Sequence, residues 1–260
     1  MNILDKIVAH KEGEVALRKV KRSIDELSSR PWFDREPVSA KSWITSPNRS
    51  GIIAEFKRQS PSKGLINGEA KVSDVTEEYI AAGASALSVL TDEQFFGGKI
   101  DDLLAARAIN AAPILRKDFI IDEYQIYEAK SVGADLILLI AACLPPARLK
   151  QLAAKAKELG MQVLMEVHSE EELTDHLNEH LDLVGVNNRN LKTFEVSIET
   201  SIRLSELIPR DFVKISESGI SDPATIKQLK QYGYEGFLIG ENFMKTTDPG
   251  AACKAFIAQL

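Results

Sequence analysis

From Gly51 onward, apolar positions arrive in short, nearly continuous runs at a regular beat. The runs fall at Ile52–Phe56, Ala86–Leu90, Pro113–Leu115, Leu136–Ile140, Gln162–Met165, Leu183–Val186, Phe212–Ile215 and Gly236–Ile239. Runs this short and this apolar predict strands buried on both faces. Between them the apolar spacing changes to three and four. That predicts helices at Thr76–Ala82, Asp101–Ile109, Asp122–Val132, Ala147–Leu159, Glu170–Leu177, Ile198–Leu207 and Pro223–Tyr232, with a last one at Pro249–Leu260. Three junctions, AAGASALSVL, SVGADLILLI and QYGYEGFLIG, follow one plan of helix end, glycine cap and buried strand. This is an internal repeat.

Eight strand–helix units imply a parallel sheet covered by helices, and eight is the number that closes it. The expected fold class is α/β: a single (β/α)8 TIM barrel over residues 51–260. An N-terminal helical extension and linker, residues 1–50, precedes it. In the extension Ile3, Leu4, Ile7 and Val8, then Leu17, Val20, Ile24 and Leu27, recur at helical spacing up to Pro31, with Gly13 as the expected kink. The apolar face Ile3, Ile7, Leu17 and Ile24 needs a surface to cover. Residues 30–50, rich in Pro, Ser and Trp, read as an ordered linker. An open doubly wound sheet is the runner-up. It is disfavoured because the first strand runs into Gln59-Ser-Pro-Ser and not a Gly-rich dinucleotide turn.

Composition narrows the function. With 260 residues, 44% hydrophobic and 27% charged, the chain has material for one large core. A net charge of −6 argues against nucleic acid, so any anion must be held by a local site. Cys143 and Cys253 form neither a disulfide framework nor a zinc pattern. Of the histidines His10, His168, His176 and His180, the last two are an i, i+4 pair without a third ligand, which reads as a solvated helix face. No metal and no cofactor are expected. The N-terminus lacks a signal-type apolar core, and the longest apolar run, Leu136 to Leu144, is too short for a bilayer. A cytoplasmic monomer without a membrane partner is expected.

Barrel enzymes carry their chemistry at the C-terminal rim, so the strand ends are the informative positions. They hold Lys57, Lys117, Glu166, Asn187 and Glu217. Strand alternation puts Ile53, Glu55 and Lys57 on one face and Ile52, Ala54 and Phe56 on the other. Strand ends are where polarity begins in any barrel, which explains one or two such residues but not the whole ring. Two ammonium groups, three carboxylates and an amide aimed at one mouth suit proton transfer in both directions. A Schiff base on Lys117 or Lys57, as in a sugar-phosphate aldolase, remains an alternative at this point. The last two strands run into Glu217-Ser218-Gly219 and Gly240-Glu241, and barrels commonly bind phosphate between those loops. A small phosphorylated substrate is expected, held by backbone N–H groups near Ser218, Gly219, Gly240 and Glu241.

In these motifs the chain resembles indole-3-glycerol-phosphate synthase of tryptophan biosynthesis. IIAEFKRQSPSKG is similar to that family's signature, and PILRKDFI, VLMEVH, GVNNRNL, ISESGI and FLIGENFM are similar to its other rim segments in order. The resemblance implies ring closure, decarboxylation and dehydration of 1-(2-carboxyphenylamino)-1-deoxyribulose 5-phosphate, without a cofactor. It implies Lys117 as general acid and Glu166 as base in the dehydration, with Lys57 and Glu55 as a paired acid and positioning contact. Asn187 and Glu217 would hold sugar hydroxyls or the developing cation. Arg189 would bind the substrate carboxylate, Phe96 and Phe119 would wall the ring, and Ser60 and Pro61 would complete the binding site. It also implies that the N-terminal helix lies over the rim near the ring.

Overall fold

The computed structural model describes residues 3–190 and 195–260; Leu191, the last residue of the GVNNRNL segment, lies outside them. Eight parallel strands close into a barrel: β1 (Ile52–Phe56), β2 (Ala86–Leu90), β3 (Ile114–Lys117), β4 (Leu136–Ile140), β5 (Gln162–Val167), β6 (Leu183–Asn187), β7 (Val213–Glu217) and β8 (Gly236–Ile239). Each pairs with its sequence neighbours, and β8 returns to β1 with Leu238 opposite Ile53. Four strands extend further than apolarity predicts, through Lys117, Val167, Asn187 and Glu217. The charged ends stay in the ladder because they meet one another inside the barrel, so polarity does not end the strand there.

The pleat sorts side chains as expected. Ile53, Leu115, Leu138, Leu164, Ile215 and Leu238 form an interior cluster, whereas Ile52, Ala54 and Phe56 join the core between sheet and helices. Gly185 faces inward, where an added Cβ would come within 2.4 Å of Glu217 Oε1 and 3.2 Å of Leu164. Its missing side chain is the space the Glu217 carboxylate occupies.

Before the barrel come α1 (Ile3–Lys21), α2 (Ile24–Ser28) and α3 (Ala40–Ile44). Two sequence expectations change here. The chain does not break at Gly13, which lies within the continuous helix α1. The break falls at Ser23, whose side chain and Glu26 make a capping box that starts α2. The covered face of α1 is Ile7, Lys11 and Val15, while Leu17 is 65% and Val20 87% exposed. The linker also contributes to the core. Ala40 and Ile44 of α3 are buried in the barrel-interior cluster, and Ile44 reaches within 3.1 Å of where a Gly236 Cβ would be. So α3 closes the N-terminal end of the barrel, and burying Ile44 is worth roughly 1.5–3 kcal/mol.

Helices cover the outside in chain order: α4 (Val72–Ala81), α5 (Glu93–Phe96), α6 (Ile100–Ile109), α7 (Glu123–Ser131), α8 (Pro146–Glu158), α9 (Glu170–His176), α10 (Glu199–Leu204), α11 (Pro223–Lys230), α12 (Glu241–Met244) and α13 (Pro249–Ile257). His176 is not on a solvated face: it is buried, with ring nitrogens 2.8 and 2.9 Å from the carbonyl oxygens of Glu172 and Leu144.

Candidate active site

The rim residues converge. Lys117 Nζ, at the end of β3, lies 2.6 Å from Glu217 Oε2 of β7 and 3.1 Å from Glu166 Oε2 of β5. Asn187 of β6 donates from Nδ2 to Glu166 Oε1 at 3.0 Å. Lys57, two residues after Glu55, pairs with it at 2.7 Å, and Ser88 of β2 donates to the other Glu55 oxygen at 3.3 Å. These contacts cross the barrel from side to side, which only inward-pointing residues of several strands permit. All of these charged groups and Asn187 line one cavity of about 570 Å³.

The electrostatics follow from burial and neighbours. Burial works against the Lys117 ammonium, but Glu217, Glu166 and Glu55 outweigh it and hold its pKa well above the usual lysine range. Glu166 is pulled down to about 2, as Lys117, His168 and the Asn187 amide overcome the cost of burial. Glu217 moves the other way, to about 7. Burial and the nearby Glu166 and Glu55 carboxylates push it up more than Lys117 pulls it down. Glu166 and Glu217 share one lysine, so they titrate as a pair, and burial beside a second carboxylate raises one member. Glu217 is the better candidate for that member because its Oε1 is buried without a hydrogen-bond partner among the described residues.

One flank of the cavity is apolar. Phe96 and Phe119 pack at 5.9 Å between centroids, and Ile3, Leu4 and Ile7 of α1 face the same cavity. The first turns of the extension therefore lie over the mouth. Ser60 and Pro61, in the loop after β1, also line the cavity, and Ser60 is buried.

The opposite flank holds the two glycine turns. Ser218, Gly219, Gly240 and Glu241 line it together with Arg189 and Lys63. Ser218 has φ +68 and Gly219 φ +74, so two consecutive residues are left-handed; for serine this conformation costs of the order of 1 kcal/mol. The Glu241 carboxylate sits 3.6 Å from Lys63 Nζ and 3.8 Å from Arg189, paired with cations at the cavity edge. Gly240 has a second task. A Cβ there would meet Glu55 Oε1 at 2.6 Å, so this glycine makes room for a rim carboxylate.

The family model for indole-3-glycerol phosphate synthase matches residues 4–256. The chain is 51% identical to the indole-3-glycerol phosphate synthase of Bacteroides thetaiotaomicron over 260 residues, covering 100% of this chain and 99% of the relative. It is 47% identical to that of Polaromonas sp. strain JS666, covering 100% and 98%. The chain belongs to the indole-3-glycerol phosphate synthase family. It is an enzyme, a carboxy-lyase of tryptophan biosynthesis. Two solved structures share only the fold. One is 3-hexulose-6-phosphate synthase of Salmonella typhimurium (TM-score 0.63, 13% identity, 80% of this chain and 97% of that one). The other is a chain of the tryptophan synthase complex of Pyrococcus furiosus (TM-score 0.60, 16% identity, 82% and 98%).

In this synthase, all fifteen residues singled out from sequence line the one cavity. Sequence reasoning passed over others. His168, two residues beyond Glu166, lies with Nε2 3.5 Å from Glu166 Oε1, and Glu172 holds its Nδ1 at 3.3 Å. The i, i+2 spacing to Glu166 was the available signal. Lys63 and Asn188 were also missed, although each lies inside a segment already singled out. Among the described residues, no helix is long and apolar enough to cross a membrane, and no group of three or more His, Cys, Asp or Glu could hold a metal ion.

Proposed function

We propose that the cavity converts 1-(2-carboxyphenylamino)-1-deoxyribulose 5-phosphate into indole-3-glycerol phosphate, carbon dioxide and water, with the residue roles that follow. Lys117 protonates the ribulose carbonyl oxygen as the carboxyl-bearing ring carbon attacks the carbonyl carbon. The ammonium is held charged by its carboxylate neighbours, so it faces the oxygen where negative charge develops. Loss of carbon dioxide restores the aromatic ring. In the second half a hydroxyl leaves as water while Glu166, ionised and pinned by Asn187, removes the proton that completes the indole.

The neighbours position the substrate. Lys57, held by Glu55, supplies a second ammonium for the leaving hydroxyl, and Asn187 and Glu217 bind sugar hydroxyls or face the developing cation. Phe96 and Phe119 wall the ring under the first turn of α1. Arg189, already beside one carboxylate, binds that of the substrate, since a planar guanidinium takes a carboxylate bidentately. The phosphate lies against backbone N–H groups of Ser218, Gly219, Gly240 and Glu241, with Ser60 and Pro61 closing the loop over the sugar.

The observation that carries this reading is Lys117 bridging Glu166 and Glu217 at the cavity floor, an acid and a base within 3.1 Å of one another. An aldolase would need a neutral lysine as nucleophile, and this one is held as the cation. The test is to supply the substrate and follow indole fluorescence and released carbon dioxide together. Wild type should yield both in equal amounts. Glu166→Gln should still release carbon dioxide while indole formation slows by roughly 10²–10⁴. Equal loss of both products would move Glu166 to the first half, and borohydride trapping of a covalent adduct would favour the aldolase.

A further inference from the structure

We propose that Asn188, a buried residue outside the cavity, is a positioning residue for substrate phosphate: its amide orients the Ser218–Gly219 peptide so that the Gly219 N–H faces the cavity. This deepens the phosphate reading above and rests on it.

Asn188 follows β6 directly and is 3% exposed. Its amide is held from both sides. Oδ1 accepts from the Ser201 N–H at 3.2 Å and the Ser201 hydroxyl at 2.8 Å. Nδ2 donates to Ser216 Oγ at 3.0 Å and to the Ser218 carbonyl at 3.1 Å. A backbone N–H can only donate and a carbonyl only accept, so Ser201 and Ser218 together allow one orientation of the amide. The network continues inward. Ser201 Oγ and Ser216 Oγ are 2.8 Å apart, Tyr234 donates to the Ser201 carbonyl at 2.7 Å, and the Asn188 N–H donates to the Glu217 carbonyl at 2.9 Å. Four hydrogen bonds thus hold one side chain, and one of its two donor contacts ends on the carbonyl of Ser218.

That carbonyl belongs to the one non-glycine residue with positive φ among those described. L-residues seldom hold this conformation unless the surroundings impose it. The peptide after Ser218 is trans, so its C=O and N–H point in opposite directions across one plane. Asn188 draws the carbonyl into the seam between β6 and β7. The N–H of Gly219 is thereby turned the other way, to the side where Ser218 and Gly219 line the cavity. The strained turn and the buried amide are two halves of one device that fixes a donor before the anion arrives, which lowers the ordering cost of binding.

The inference separates from a general structural role because it concerns the phosphate alone. The experiment measures kcat and KM for the substrate and for its dephosphorylated analogue, with the Kd of inorganic phosphate by calorimetry. Asn188→Ala should raise phosphate Kd and substrate KM about tenfold, the loss of one hydrogen bond to a charged group, with kcat within about twofold. Its kcat/KM for the dephosphorylated analogue should match wild type. Should Asn188→Ala fail to fold, the double variant Ser201→Ala/Ser216→Ala loosens the amide without removing it, and about a threefold rise in phosphate Kd is expected. Equal losses on both substrates, or unchanged phosphate Kd in whichever variant folds, would overturn the role of Asn188. If inorganic phosphate fails to compete with substrate in wild type, the phosphate site itself is misplaced and the inference falls with it.

Discussion

Arg116 and Lys117 are neighbours on β3, and the pleat sends them to opposite sides of the barrel wall. Each becomes the centre of a buried ion network. Outside, Arg116 is fully enclosed. Its guanidinium donates to Thr91 at 3.1 Å, to the Gln125 carbonyl at 2.8 Å, to Asp118 at 3.0 Å and to Glu128 at 2.7 Å. Lys11 of α1 extends this network, with Nζ 2.9 Å from both Asp92 and Asp118, and Arg18 reaches Glu128 at 2.9 Å. Burial opposes the charge on Asp118, but Lys11 and Arg116 override it and hold its pKa far below the usual carboxylate range. Inside, Lys117 shares its ammonium between two carboxylates, one Glu217 oxygen has no hydrogen-bond partner among the described residues, and the cavity opens above. Satisfied buried charge fixes α1 and the loops after β2 and β3 in place. Unsatisfied buried charge stores reactivity, because the groups left short are the ones a substrate can complete.

Swapping the two residues' fates tests this division, and the largest effect should come from the inner one. Lys117→Met removes the shared ammonium, and kcat should fall by roughly 10²–10⁴ or more. Fold and Tm should change little, because Glu166 and Glu217 line an open cavity and can take up a proton. Wild-type turnover in a folded variant would shift the acid role to Lys57. Arg116→Met should do the reverse. It leaves Asp118 and Glu128 short of a buried partner, costing about 3–5 kcal/mol in urea unfolding, with kcat of the folded fraction within about twofold. A large fall in kcat at unchanged stability would show that the outer network also serves the chemistry.

A smaller effect sharpens the contrast through pH. Glu217 is raised to about 7 in the folded protein, above its ordinary value of 4.5. Its neutral form therefore supports stability fully below about pH 4.5, and that contribution is lost as pH rises through about 7. Glu217→Gln keeps the neutral shape at every pH. It should gain stability over wild type as pH rises from about 4.5 to about 7, by about 1.4 kcal/mol per unit at most. Denaturant midpoints at pH 5 and pH 8 check this. An identical difference at both values would place the raised carboxyl elsewhere in the pair.

How far these networks could be read in advance depended on distance along the chain. The barrel and its mouth were legible because each strand announces itself within five or six residues, and alternation then says which end residues point inward. The outer network was not. Lys11 looked like one more polar residue on a helix, since the carboxylates that bury it, Asp92 and Asp118, come from loops far along the sequence. For the same reason the helix spacing assigns Leu17 and Ile24 to a covered face, whereas both are exposed and Lys11 and Val15 are buried beside Ile7. Ser218 gave no sign of its left-handed backbone, which glycine would have advertised, because its carbonyl is held by Asn188, 30 residues earlier in the chain.

Between enclosed and open charge stands a third kind, at the water's edge, where the smallest effect is expected. Glu241 occupies the first position of α12, at the turn proposed to hold phosphate. Its carboxylate lies between Lys63 and Arg189, at 3.6 and 3.8 Å, with its side chain 35% exposed. Both distances are long for ion pairs and Lys63 is itself half in water, so each contact is worth at most about 1 kcal/mol. A phosphate entering this flank must share Lys63 with the carboxylate or displace it. Glu241→Ser removes the competitor and the repulsion while keeping the backbone N–H. Inorganic phosphate should then bind about two- to fivefold more tightly at low salt, and the gain should shrink as salt screens the charges. Glycine substitutions are poorer probes, because a side chain at Gly240 would strike Glu55 and one at Gly219 would strike Val196. Weaker phosphate binding in Glu241→Ser would mean that the carboxylate helps: by holding Lys63 in place, it would set the cation the phosphate needs.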